Sequence, residues 1–340
     1  MANFSVSNLV KAQARLADKF KNNEMRTMAS PAIMLAMQNQ TALIPSHEQL
    51  RVREDRPITG YMMNRVKRTP GNSRTYNHTG SAGTSSGFDF VWSILSDVFS
   101  ISLKQMDDNI FSFEEALAQE ILNCSINLHE KIEQTLINYL FTQRSQVSVA
   151  TPKGGTWNAT NFAFEVASTD KVTFYQRAKA FMRQNFYRGL LDMIADVNMS
   201  IASENLAAQG AGNATNLAYQ FAGLTISEST ALSDANYANG AVLAMPQGSF
   251  SLQQWIPKQN REGRGDYNSV LGGYGSISDP LGTGLQFAVH GYTERADTSA
   301  LNGNAQDDLL QMEISIDISP VVGKLSNPNE SIVFEIAQGL

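Results

Sequence analysis

The stretch that decides the fold runs from Ser112 to Thr142, SFEEALAQEILNCSINLHEKIEQTLINYLFT. Its opening, Ser112-Phe113-Glu114-Glu115, is a capping box: the N-cap Ser and the Glu at the third helical position each satisfy an orphan backbone donor. Apolar Phe113, Leu117, Ile121, Cys124, Leu128, Ile132, Leu136 and Tyr139 then step by four or three. Neither Gly nor Pro interrupts up to Thr151, so the pattern predicts one helix over 112–143. At ~1.5 Å per residue such a helix is about 45 Å long, far longer than the usual ~11–12 residues. Charged residues do not fill the flanking heptad positions, so a spine crossing an elongated domain fits better than a coiled coil.

Upstream, residues 5–21 read as an amphipathic helix, with Val6, Leu9, Val10, Leu16 and Phe20 opposite Lys11, Arg15 and Lys19. It is expected to stop before Ser30-Pro31. From Pro45 the texture changes. Residues 51–70 alternate charge and apolar positions, as in Arg51-Val52-Arg53, and predict a narrow two-stranded ribbon with little core. Residues 71–87, GNSRTYNHTGSAGTSSG, contain 13 Gly, Ser, Thr or Asn and read as a loop. The chain returns through a β-like run over Phe88–Lys104. Together these form an excursion of a kind usually kept for function.

Downstream, strands are expected within 145–167, a helix over 170–188, a strand over 190–198 and a helix over 199–209. TNLAYQF and LTISES read as strands beyond it. Residues 240–340 predict short strands between polar loops at 258–284 and 294–307, and Leu310–Ile318 alternates as a half-buried strand.

The chain has 340 residues, 42% hydrophobic and 17% charged, a low charge content that suits extensive protein–protein contact. One cysteine, Cys124, excludes an internal disulfide. The sequence shows no signal-peptide run and no membrane-length apolar stretch, so a cytoplasm-like compartment is expected. Net charge is −6, yet His47–Gly87 carries seven Arg or Lys against three acids, leaving −10 on the remainder. Opposite patches on one chain favour association of like molecules.

Catalytic signatures are missing: no phosphate-binding loop, no dinucleotide fingerprint and no nucleophile elbow. His47, His78, His129 and His290 are scattered, and His129, Glu130 and Glu133 read as an ordinary charged helix face. Cys124 reads as core packing. Asp192, Asp196, Asp307 and Asp308 are not required to pair. Gly272-Gly273-Tyr274-Gly275 reads as a flexible surface loop. The expectation is a structural subunit with no catalytic, metal or cofactor site.

The order of elements, a basic arm, a charged excursion, a β return, a capped long helix and a mixed region closing on a strand, resembles the major capsid proteins of tailed bacteriophages, with the Hong Kong 97-type fold. Local texture agrees at Asp196, AYQFAGLTISES, MPQGSFSLQQWIP and ISIDISPVV. The resemblance implies an α+β capsid fold with an N-terminal arm (1–44) and an extended loop with its return strands (45–104). It further implies a peripheral domain (105–170, joined by strands at about 308–340) and an axial domain (171–307). It implies self-assembly into pentamers and hexamers of an icosahedral or prolate head enclosing double-stranded DNA. In that arrangement Arg51, Arg53, Glu54, Asp55, Arg56, Arg65, Lys67, Arg68 and Arg74 of the loop would contact neighbouring subunits, as would Lys11, Arg15 and Lys19 of the N-terminal arm. Implied partners are other copies, portal and scaffolding proteins, packaged DNA and a decoration protein, with no membrane; the location is the virion, assembled in the host cytoplasm. An encapsulin-like compartment shares the fold and is the alternative. A soluble binding protein or enzyme using the 258–284 loops is the rival from another class.

Overall fold

The computed structural model describes residues 11–12, 30–63, 74, 80, 85–102, 113–148, 151–210, 222–298, 304–323, 325, 327 and 329–339. Ser112, TNLAYQF and all of the expected 5–21 helix except Lys11 and Ala12, which are helical, lie outside them. In chain order the elements are α1 (Pro31–Gln38), α2 (Gln40–Leu43), α3 (His47–Arg51), β1 (Thr59–Met63), β2 (Ser85–Asp89), β3 (Ser93–Ser102) and α4 (Phe113–Thr142). There follow β4 (Thr156–Asn158), β5 (Ala163–Val166), α5 (Phe174–Gln184), β6 (Leu191–Ala195), α6 (Val197–Gly210), β7 (Leu224–Glu228), β8 (Ala241–Pro246) and β9 (Phe250–Trp255). The chain ends through α7 (Lys258–Glu262), β10 (Gly273–Ser278), β11 (Gln286–Thr298), β12 (Asn304–Val322) and β13 (Phe334–Gln338). The architecture is mixed α+β, as the sequence predicts.

Helix α4 is a single helix of 30 residues. Leu117, Ile121, Cys124, Leu128, Ile132 and Leu136, six positions of the stepping pattern, are buried, while Phe113 and Tyr139 pack half-buried against the same core. Full burial of one such side chain stabilises by about 1.5–3 kcal/mol, so packing on its own subunit supports the helix along its length. The other backbone of the core is β12, whose Leu310, Met312, Ile314, Ile316 and Ile318 are buried at alternate positions. Strand β3 pairs along one side of β12, from Leu309↔Ser102 to Ile318↔Ser93; β11 and then β9 pair along the other. The second sheet has six strands in the order β4-β5-β13-β8-β6-β7. One face of it, including Met193 and Val242, packs on Phe174, Phe181 and Met182 of α5. The opposite face, through Ile194, Leu243 and Met245, joins the core of α4 and β12.

Several expectations are corrected. Arg51-Val52-Arg53 is not strand: Arg51 ends α3, tied to Glu48 one turn earlier at 2.7 Å, and the ribbon is built from β1 and the more distant β2. The 294–307 segment is not loop throughout, because β11 runs to Thr298 and β12 starts at Asn304. Gly272-Gly273-Tyr274-Gly275 is not a flexible loop either, since β10 begins at Gly273. Glycine is required there by close approach: a Cβ on Gly273 would meet the Tyr267 ring at 2.8 Å. The expected 190–198 strand stops at Ala195, where Asp196 caps α6 by accepting from Met199 N at 2.8 Å.

Candidate assembly surface

The excursion starts from a tightly built root. Arg56 lies between the rings of Trp92 and Trp255, 5.9 and 5.2 Å from their centroids, and its guanidinium is 2.8 Å from the buried Asp317 of β12. Burial raises the Asp317 pKa, and the Arg56 charge partly offsets it. The backbone is held as well. Trp92 Nε1 donates to Pro57 O at 2.7 Å, and Trp255 Nε1 to Arg53 O at 3.0 Å. Arg261 donates to Val52 O at 2.6 Å and Arg53 O at 3.0 Å. Lys258 bonds Glu54 at 2.6 Å, which holds that carboxyl below its ordinary pKa and raises the ammonium.

Beyond the root, Phe88 of β2 packs against the small cluster of Ile44, Phe90 and Val321. Strands β1 and β2 form a sheet of two, with Phe88 lying over Gly60, where a Cβ would meet the ring at 2.5 Å. Ile58 and Tyr61 are 72% and 78% exposed. The apolar row continues on the return: Val91, Ile94 and Val98 are exposed by 60–69%. Ile94 and Val98 stand opposite Asp317 and Glu313 on the outward face of the β3–β12 pair. At the edge of that sheet, Ile94–Asp97 and Asn127, Leu128 and Lys131 of α4 line a cleft of about 390 Å³. An isolated two-stranded ribbon is marginal in water, and a large exposed apolar patch marks a contact surface.

The predicted contact residues divide accordingly. Arg51, Glu54 and Arg56 each have an ion-pair partner within the chain, at Glu48, Lys258 and Asp317. Arg53 and Asp55 are exposed at the root, and Arg74 is exposed. Lys11 stands 3.8 Å from Glu114, in the first turn of its own α4. Arg15, Lys19, Arg65, Lys67 and Arg68 lie outside the described residues. Of the expected N-terminal arm, α1 is built into its own subunit, with Pro31, Ala32, Ile33, Leu35 and Ala36 buried.

The spine carries polar anchors that the sequence reading assigned to the surface. His129 and Glu133 are buried. Glu133 accepts from Ala32 N and Ile33 N, both at 3.2 Å, and from Ser229 Oγ at 2.8 Å, so it caps the start of α1 and ties it to the end of β7. Burial raises its pKa, against those three donors and the charge of His129. His129 Nε2 lies 2.9 Å from Asp279, which also accepts from Leu281 N at 3.0 Å. Burial alone would raise Asp279, but His129, Thr283 and Leu281 together hold it below its ordinary value. A signal was present: Ser125, His129 and Glu133 step by four alongside the apolar stripe, which places them on one line at the edge of the core.

The other titratable groups singled out by the sequence have structural surroundings. Cys124 is buried, and burial first, then Asp97, push its thiol up to about 12. Asp196 serves as a helix cap, Asp307 hydrogen-bonds Ser102, and Asp308 pairs with Arg295 at 3.4 Å. Among the described residues no group of three or more His, Cys, Asp or Glu is placed to hold a metal ion, and no helix is long and apolar enough to cross a membrane.

No protein-family model matches the chain, and no curated protein does. Solved structures do. The chain is similar to the capsid asymmetric unit of cyanophage A-1(L), with 13% identity, a TM-score of 0.48 and 86% of this chain and 92% of that chain covered. It is similar to the capsid structure of cyanophage P-SCSP1u, at 14% identity and a TM-score of 0.45, over 85% and 86% of the two chains. The mature capsid of bacteriophage PhiM1 matches over 84% of each chain, at 10% identity and a TM-score of 0.42. The mixed α+β fold expected from the sequence is the observed one, and these phage capsid structures resemble it over more than four-fifths of both chains.

Proposed function

We propose that this chain is a capsid subunit, whose activity is assembly into a closed shell. The observation that carries the reading is the contrast within the excursion: a root fixed by Arg56, Trp92, Trp255 and Arg261, and beyond it a two-stranded ribbon, with Ile58 and Tyr61 exposed. Ordering a root so firmly is useful when the element it aims must land on something outside the subunit. In this reading the ribbon of one copy lies over the spine helix of the next, against the cleft beside Asn127 and Lys131, while Ile94 and Val98 are covered in the same contact.

The copies would form pentamers and hexamers through the 171–307 region, giving a head that encloses double-stranded DNA. Residues 45–104 act as the clasp. The arm charges, with Arg53 and Asp55 nearest the root, meet neighbouring copies, and the segment before Ser30 contributes Lys11, Arg15 and Lys19. Portal, scaffolding and decoration proteins are the further partners of such a shell, and no catalysis is assigned. Size-exclusion chromatography with negative-stain imaging of the purified chain tests the reading. Capsomers, sheets or shells are expected, and a monomer at every concentration contradicts it.

A further inference from the structure

Between positions 171 and 190 the chain carries Lys171, Arg177, Lys179, Arg183 and Arg188 and no acidic residue, although its net charge is −6. Two of these cations are engaged locally: Arg177 is 3.0 Å from Asp170 and donates to Thr173 Oγ1 at 2.9 Å, and Lys179 Nζ donates to Ala222 O. Lys179, Arg183 and Arg188 have no ion-pair partner among the described residues. Lys153 lies on the Arg177 side of the same helix, where its backbone N–H donates to Gln184 Oε1 at 3.0 Å and Arg177 donates to Gly154 O at 2.5 Å. Burial, and then the charge of Arg183, pull Lys179 below its ordinary pKa, so the cluster repels itself.

The turn after α5 displays this charge in a fixed shape. Phe186 has a φ of 70°, a left-handed conformation that usually falls to glycine at a helix end, and Tyr187 N closes the turn on Met182 O at 3.0 Å. Phe186 stays 47% exposed, flanked by exposed Arg183 and Arg188. A non-glycine residue in that conformation costs on the order of 1 kcal/mol, and here it leaves an aromatic ring part-exposed in the turn that carries Arg188.

We infer that the C-terminal end of α5 and its turn, with Lys179, Arg183, Phe186 and Arg188, is a docking surface for the phosphate backbone of duplex DNA, bound without regard to sequence. Guanidinium forks match phosphate oxygens, and a regularly spaced polyanion relieves the mutual repulsion of several cations at once. A membrane surface fits less well. The apolar side of α5, Phe174, Ala178, Phe181 and Met182, is buried in its own subunit, so no apolar stripe is free to enter lipid. The inference builds on the shell reading, since it says where enclosed DNA touches the subunit, but its test needs no particles.

The experiment measures fluorescence anisotropy of a labelled duplex of roughly 20 base pairs with the full-length unassembled chain, between about 50 and 200 mM salt. The expected result is sequence-independent binding that weakens steeply with salt. R183E/R188E should weaken it at least ~10-fold and reduce the salt slope by about 2, one for each lost phosphate contact. R183Q/R188Q, which keeps side-chain bulk, carries the test if charge reversal lowers the melting temperature. No binding by the unaltered chain, unchanged affinity and slope in the folded variants, or tighter binding to phosphatidylserine vesicles than to the duplex overturns the inference. A shell reading that fails shows itself separately, as a chain that never assembles.

Discussion

Helix α4 buries thirteen of its thirty side chains in its own subunit, whereas among the described residues β1 and β2 pair with each other in a sheet of two, and Tyr61 and the preceding Ile58 are turned to solvent. Both are elongated elements, but their stability has different sources. The spine's stability is internal, from an apolar stripe backed by the Glu133 and His129 anchors. The ribbon has an internally stabilised root and an outer part that leaves Tyr61 exposed, a surface that the proposed assembly would cover. The difference teaches that the ribbon should be dispensable for folding and indispensable for assembly, while the spine should be indispensable for folding.

Substitutions can break or sharpen that contrast. The largest stability effect is expected in the spine: Ile132→Ala, at a fully buried position, should cost about 2–5 kcal/mol in chemical denaturation of the unassembled subunit. A cost below ~1 kcal/mol would mean that the helix is less integrated than its packing implies. An intermediate effect belongs at the root. Arg56→Ala leaves Asp317 buried without its cation and should cost about 2 kcal/mol near neutral pH. The sign with pH is fixed. Asp317 already has a raised pKa, so its protonated form is favoured in the fold, and the stability this contributes is present below the ordinary carboxyl value and lost as pH rises. Removing Arg56 raises that pKa further. The deficit of the variant should therefore grow as pH rises from about 4 to 7 and nearly vanish in acid; a deficit independent of pH would show that the pair is not its cause. The smallest stability effect is expected on the outward face. Ile94→Ser with Val98→Ser should stay within about 0.5 kcal/mol of the parent in unfolding, yet impair particle formation, and normal particles would remove that face from the contact.

The same contrast explains what the sequence made legible. The spine announces itself because its apolar residues repeat at helical spacing without Gly or Pro, and β12 because Leu310 to Ile318 alternate. Both patterns arise from burial. At the paired Thr298 and Asn304 ends of β11 and β12 the sequence is polar and aperiodic, so the segment reads as loop. Strand β10 was hidden for another reason: its glycines, which make room for Tyr267, resemble flexible-loop glycines in composition. His129 and Glu133 were misread as surface because their partners lie 96 to 150 residues away in sequence, and a charge beside an apolar stripe is usually solvated. Of the candidate surface, the charge of the excursion was readable, but the clamp at its root was not, since Arg56, Trp92, Trp255 and Asp317 meet only through the pairing of β12 with β3 and β9.

The most direct test replaces residues 58–85, the outer ribbon, with a short Gly-Ser linker and compares the variant with the parent by thermal unfolding and negative-stain imaging. A subunit that melts within a few degrees of the parent and forms no particles is the predicted result. Normal particles without the ribbon would contradict its role as the clasp.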